Sequence, residues 1–225
     1  MDKGELILRW INWADTDYIA ARQLLLSNAL VPGSGLSNTA IEKYLKALFV
    51  FLDLEIPKGY AGHNICNLYE TLNKKGLGLK LNQEYLALLF KSYPLRYPDD
   101  LKIGFNIVLC RTKLLVELDH TVFEIKRGIS LKRGGKEIDT FEDNPRMKDP
   151  ALLNKNCYFG GYNREALFKE HSSCYELRVF KDRGLVETFI LHDGIIDNGK
   201  FDVEALKPDG KDKCLFGERS PILAK

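Results

Sequence analysis

The chain has no CxxC pair, although it carries five cysteines, Cys66, Cys110, Cys157, Cys174 and Cys214. An odd number without paired spacing argues against structural zinc and suits a reduced, cytosolic chain. Histidine is scarce, at four residues, and no His/Cys/Asp cluster has metal-ligand spacing, so no metal is expected. Glycine-rich phosphate loops are absent too: there is neither a P-loop nor a GxGxxG, and no cofactor is expected. Gly33-Ser34-Gly35 is a short stretch without the downstream carboxylate pair that a nucleotidyltransferase needs for its metal ions, which sets that reaction aside for this chain. Charge of one sign is also lacking. The 33 basic and 31 acidic residues leave a net +2, too little for nucleic-acid binding by bulk electrostatics. No apolar run reaches membrane-spanning length, because the tract around residues 45–54 is broken by Lys46 and Asp53. The acidic, amphipathic start MDKGELILRWINWADTDY is unlike a secretory signal. A soluble, cytoplasmic protein with no membrane attachment is expected.

What is present is an ordinary globular composition, 45% hydrophobic, in two textures that meet near residue 130. Before that point helical spacing dominates. Leu6, Trp10, Trp13, Asp17, Ala20, Ala21, Leu24 and Asn28 predict a first helix over 5–28. VPGSGLSN reads as a turn, with Ser37 or Asn38 capping a second helix to about residue 53. Asn64 caps a third helix to residue 74, and QEYLALLFKS is a fourth, stopped by Pro94. Asp99 or Asp100 is expected to cap a long fifth helix through residue 126. Residues 1–129 thus read as a bundle of four or five helices, and the fold class as mainly α. Residues 130–150 read as a charged linker broken by Gly and Pro. Residues 151–225 read as a small extension with a β-hairpin, CYELRVFK and LVETFILH around a DRG turn, and IIDNGKFDVEAL as a third strand.

Several polar residues stand out. Asp17 falls on the stripe read as apolar in helix 1, where a carboxylate needs a cation. Lys43, Lys46, Arg96 and Arg111 are the candidates, and Asp17 with Arg111 could form a structural polar network. Lys43 and Lys46 lie one turn apart and could meet one anion, although a solvated face with a Glu42–Lys46 pair is the plainer reading. His63 precedes the third helix, where it either bonds locally or lines a pocket mouth. In YPLRYPDD, residues 93–100, two Tyr-Pro pairs hold Arg96 and Tyr97 in a stiff bend that offers a guanidinium and an aromatic face. Arg96 is expected to turn toward the seam of helices 1 and 2.

Four segments, ADTDYIAARQLL (14–25), AIEKYLKALF (40–49), IPKGYAGHNICNLYETL (56–72) and YPLRYPDD (93–100), follow the order of landmarks in the HEPN family, which the chain resembles over about its first 130 residues. The resemblance implies a helical bundle, a homodimer formed through its helices, and nucleotide binding. It also implies action alongside a small separate nucleotidyltransferase, as toxin and antitoxin. Many members are metal-independent ribonucleases in which four to six residues separate an arginine from a following histidine. This sequence departs from that pattern. Arg111 and His120 are too far apart, Lys58 before His63 is not an arginine, and Arg164 with His171 fits the spacing but lies beyond the matched region.

Three functions follow. The first is a non-catalytic module that binds a nucleotide or another phosphorylated ligand through Lys43, Lys46, His63, Arg96 and Tyr97. The second is an RNA-cleaving toxin using Arg164 and His171, or another arginine–histidine pair. The third is a protein-interaction scaffold in which Asp17, Arg96 and Arg111 are only structural.

Overall fold

Two helices joined by a three-residue corner form the frame. The computed structural model of the chain describes residues 2–133, 136–138, 140, 148–168 and 172–192. Helix α1 (Lys3–Leu26) ends where Asn28 takes a left-handed φ of 65°, a conformation asparagine tolerates better than most residues. Helix α2 (Leu30–Phe51) then runs back along α1. The turn expected at VPGSGLSN is helix instead. Ser34 and Ser37 donate to the carbonyls of Val31 and Gly33, so their hydroxyls are satisfied without leaving the helix. Gly33 has a packing reason: a Cβ there would lie 2.7 Å from Leu25 Cδ2, so glycine lets α2 close against α1.

Helices α3 (Ile65–Lys74) and α4 (Gln83–Ser92) have the expected bounds. Asn64 caps α3 by accepting from the amides of Cys66 and Asn67, and Asn82 caps α4 in the same way. After Ser92 the chain takes two 3-10 turns, Tyr93–Arg96 and Pro98–Asp100.

The long fifth helix is the main correction. Strand β1 (Asn106–Cys110) occupies its first part, and α5 (Arg111–Arg127) starts only afterwards. Asp99 and Asp100 therefore cap nothing in α5, whose N-cap position is Cys110. Two causes act here. Ile107 and Val108 favour extended backbone, and a distant strand supplies the hydrogen-bond ladder. That strand is β4 (Ser172–Phe180), antiparallel to β1 with Asn106 opposite Arg178 and Cys110 opposite Cys174. Strand β5 (Gly184–His192) pairs with β4 on its other side, giving a sheet of order β1-β4-β5. The predicted hairpin thus forms, and it captures a piece of the helical region as its neighbour. A small ladder joins β2 (Leu131–Arg133) to β3 (Lys136–Ile138) in the segment read as a linker. The short helices α6 (Pro150–Leu153) and α7 (Arg164–Phe168) precede β4. The third strand expected at 195–206 lies outside the described residues.

One apolar core joins the helices and the sheet. Tyr18, Tyr44, Leu68, Leu89 and Leu118 come from the five long helices and Ile107 from β1, and none exposes measurable surface. The protein is therefore mainly helical, a bundle of α1 to α5 with a small antiparallel sheet beside it. Among the described residues no helix is long and apolar enough to cross a membrane.

Candidate functional site

The flank of the α1–α2 hairpin carries a connected set of aromatic and charged side chains. Glu42, on α2, accepts from Lys46 Nζ at 2.6 Å, one helical turn away. The same carboxylate lies 3.1 and 3.2 Å from His63 Nδ1. An ionised carboxylate only accepts, so Nδ1 carries the proton, and the imidazole presents Nε2 on its outer side. Lys46 also stands 5.7 Å from the centre of the Trp10 ring, which meets Trp13 edge to face at 5.6 Å. One turn along, Lys43 Nζ reaches Asp17 Oδ2 at 2.5 Å.

Local geometry explains why His63 is presented there. Residues Gly59–His63 form a 3-10 turn, in which side chains three apart project from the same side, so Tyr60 and His63 share a face. The turn is tight at Gly62, where a Cβ would fall 2.1 Å from the Pro57 carbonyl oxygen. Trp13 is 50% exposed, Tyr60 73%, and the His63 side chain 58%. Glu42 and Lys46 are almost buried beneath them.

A second set of charges lies inside the hairpin. Arg22 and Asp119 are fully buried and form a forked ion pair, in which Arg22 Nη1 reaches both carboxylate oxygens. Tyr18 donates to Asp119 at 2.7 Å, and Asn156 Nδ2 donates to the Tyr18 oxygen at 3.1 Å. Arg22 also donates to the carbonyls of Ala151 and Asn154, so it ties the α6 segment to α1 and α5. Nearby, Lys126 Nζ reaches Asp15 at 2.9 Å, and Tyr44 donates to the same carboxylate. Burial pushes the Asp119 carboxyl up to about 6, against the opposing pull of Arg22 and Tyr18, which leaves it ionised at neutral pH. Burial, with the facing carboxylates, holds the Tyr18 and Tyr44 phenols well above their usual range, so both stay neutral donors.

The candidates from the sequence are thus divided. Lys46 and His63 meet through Glu42, and Lys43 holds Asp17 on the same hairpin. Arg96 does not reach the seam of α1 and α2: its guanidinium lies 3.7 Å over the Tyr93 ring, on the surface. Tyr97, 63% exposed, follows it on the next turn. Among the described residues, no hydrogen bond, ion pair or ring contact ties Arg96 or Tyr97 to the Lys46–Glu42–His63 set. Arg111 Nη1 donates to Asn28 Oδ1 at 3.0 Å, at the α1–α2 corner. Arg164, on α7, pairs with the buried Glu117 at 3.0 Å, while His171 lies outside the described residues.

Sequence reasoning missed Asp15, Arg22, Asp119 and Lys126. The signal was present in α1, where Ile11, Asp15, Tyr18, Arg22 and Leu25 recur at alternating four- and three-residue steps and are all buried. The tryptophans drew the apolar stripe about one residue out of phase. Trp10 borders the core, Trp13 is exposed, and Asp17 is partly exposed.

A cavity of about 300 Å3 opens between α3 and α4, lined by Cys66, Tyr69, Glu70, Glu84 and Leu86 among others. Among the described residues its lining holds two carboxylates, Glu70 and Glu84, and no cation, so it does not favour an anion. Burial and Glu70 push the Cys66 thiol up to about 11, so it remains protonated at neutral pH.

No curated protein and no solved structure matches the chain. Residues 7–114, from the first turns of α1 to the start of α5, match the HEPN domain, while the region beyond has no family match. The chain thus carries a HEPN domain over residues 7–114.

Proposed function

We propose that the α1–α2 flank binds a nucleotide, with Trp13 as the stacking face for the base, Lys46 and Lys43 as phosphate contacts, and His63 donating to the phosphate from Nε2 in its imidazolium form. The observation that carries this reading is the placement of both tryptophans of the chain beside the Lys46–Glu42–His63 set. Every base has a π face, so an exposed indole is a sequence-tolerant platform. An ammonium has three donors, and Glu42 takes one from Lys46 as Asp17 takes one from Lys43, so both lysines keep protons for a phosphate. The carboxylates hold the cations in place, which lowers the conformational entropy lost on binding. Arg96 and Tyr97 have no part in this site. The module binds without catalysis, as a homodimer, beside a separate nucleotidyltransferase-type partner, the last two points resting on the family alone.

The test is thermal unfolding with a series of ribonucleoside triphosphates. A ligand at a hundred times its Kd stabilises the folded state by about 2.7 kcal/mol. The expected result is a rise in Tm for wild type that Lys46→Ala and Trp13→Ala lose while melting normally without ligand. An unchanged rise in both variants rejects the site.

A further inference from the structure

Cys110 and Cys174 stand directly opposite each other on β1 and β4, with their sulfurs 3.0 Å apart. Directly opposed residues of antiparallel strands are about 4.5–5.5 Å apart at Cα, within the roughly 4.4–6.8 Å that a disulfide spans. The two side chains are therefore placed for a bond without any shift of strand register. The two cysteines lie 64 positions apart in the chain.

The surroundings give the pair a structural meaning. Cys110 is the N-cap residue of α5, and the next residue, Arg111, donates to Asn28 Oδ1. On the other strand Ser173, the neighbour of Cys174, donates to the same oxygen at 2.8 Å. The two cysteines therefore flank the point where the α1–α2 corner, the start of α5 and the sheet meet. Of the other described cysteines, Cys66 and Cys157 each lie apart from a second thiol, and burial raises both pKa values. With no second described thiol against them, neither can close an internal disulfide as Cys110 and Cys174 can.

We propose that Cys110 and Cys174 are a redox modification site, closing to an intramolecular disulfide with a hydroperoxide as oxidant and opening again with a dithiol. The thiolate of one cysteine attacks the peroxide oxygen, the O–O bond breaks, and a sulfenic acid and one water or alcohol result. The second thiol attacks the sulfenic sulfur, its proton leaves with the hydroxyl as water, and the S–S bond forms. With hydrogen peroxide the sum is two thiols and one peroxide to one disulfide and two waters. Both sulfurs are buried, so closure is slow and waits on local opening of the sheet edge. The bond then fastens β4, and the hairpin it belongs to, onto the last strand before α5.

The full-length protein should be treated with hydrogen peroxide, denatured, alkylated and digested. The expected result is a linked peptide containing Cys110 and Cys174, with alkylation falling from five thiols to three. A dithiol should restore all five. Alkylation of all five after oxidation, or a link through any other cysteine pair, overturns the proposal. Oxidised wild type should also melt above the reduced form by roughly 5–10 °C, as expected for closing a long loop. Cys174→Ala should show no oxidant-dependent shift; an equal shift in that variant overturns the proposal as well. Because the peptide map uses wild type, the result does not depend on the variant folding well.

Discussion

The α1–α2 hairpin carries two sets of ion pairs that differ in what surrounds them. Inside, Arg22–Asp119 and Lys126–Asp15 have no exposed side-chain surface. On the flank, Lys43–Asp17 is 26% and 18% exposed, and Glu42–Lys46 leads out to a histidine in water. The inner pairs are enclosed by neighbours on α1, α2, α5 and the α6 segment and bond to them, so they fix how these pieces meet. The outer pairs keep donors uncommitted and stand beside an exposed indole. Similar chemistry is thus structural on one face and available to a ligand on the other, and burial decides which.

Breaking the inner set should give the largest effect. Arg22→Ala leaves Asp119 buried without its cation and removes the tie to Ala151 and Asn154. A loss of about 3–5 kcal/mol in urea unfolding is expected, against a loss below about 1 kcal/mol if the pair were dispensable. Next comes Gly62→Ala, which forces the turn away from Pro57. It should cost about 1–3 kcal/mol and weaken nucleotide binding by displacing His63, as read by melting and by binding titration. His63→Ala should change stability by less than about 1 kcal/mol, because the side chain is largely exposed, yet lower nucleotide affinity roughly tenfold or more.

The smallest effect separates the two sets by pH. Folding raises Asp119 from its usual range to about 6, so the native state binds the proton more tightly than the unfolded chain. The resulting stability is fully present below the unfolded carboxyl pKa and is lost as pH rises through about 6. Between pH 7 and 5, wild type should therefore gain on Asp119→Asn, with a slope of at most about 1.4 kcal/mol per pH unit. A constant difference between the two proteins contradicts the raised carboxyl.

How much of this was legible in the sequence depends on how far apart the interacting residues lie. Helices α3 and α4 were readable because Asn64 and Pro94 act within a few residues of themselves. The β4–β5 hairpin was readable for the same reason. Strand β1 was not: Ile107 and Val108 leaned toward extended backbone, but only β4, far along the chain, completes the ladder. The site shows the same division. Glu42–Lys46 follows from helical spacing, whereas the reach of His63 back to Glu42 depends on the close turn at Gly62. The placement of Arg96 was misjudged because a cation can meet an aromatic ring next door as well as a carboxylate across the bundle.

The most direct test of the outer flank uses its own reporter, because Trp10 and Trp13 are the two tryptophans of the chain. Intrinsic fluorescence should be followed while ATP, GTP, CTP and UTP are added in turn to wild type and to His63→Ala. Nucleotide binding at this flank predicts saturable quenching of wild type by at least one nucleotide, with the midpoint moved to roughly tenfold higher concentration in His63→Ala. No saturable change with any of the four, or identical curves for the two proteins, would contradict it.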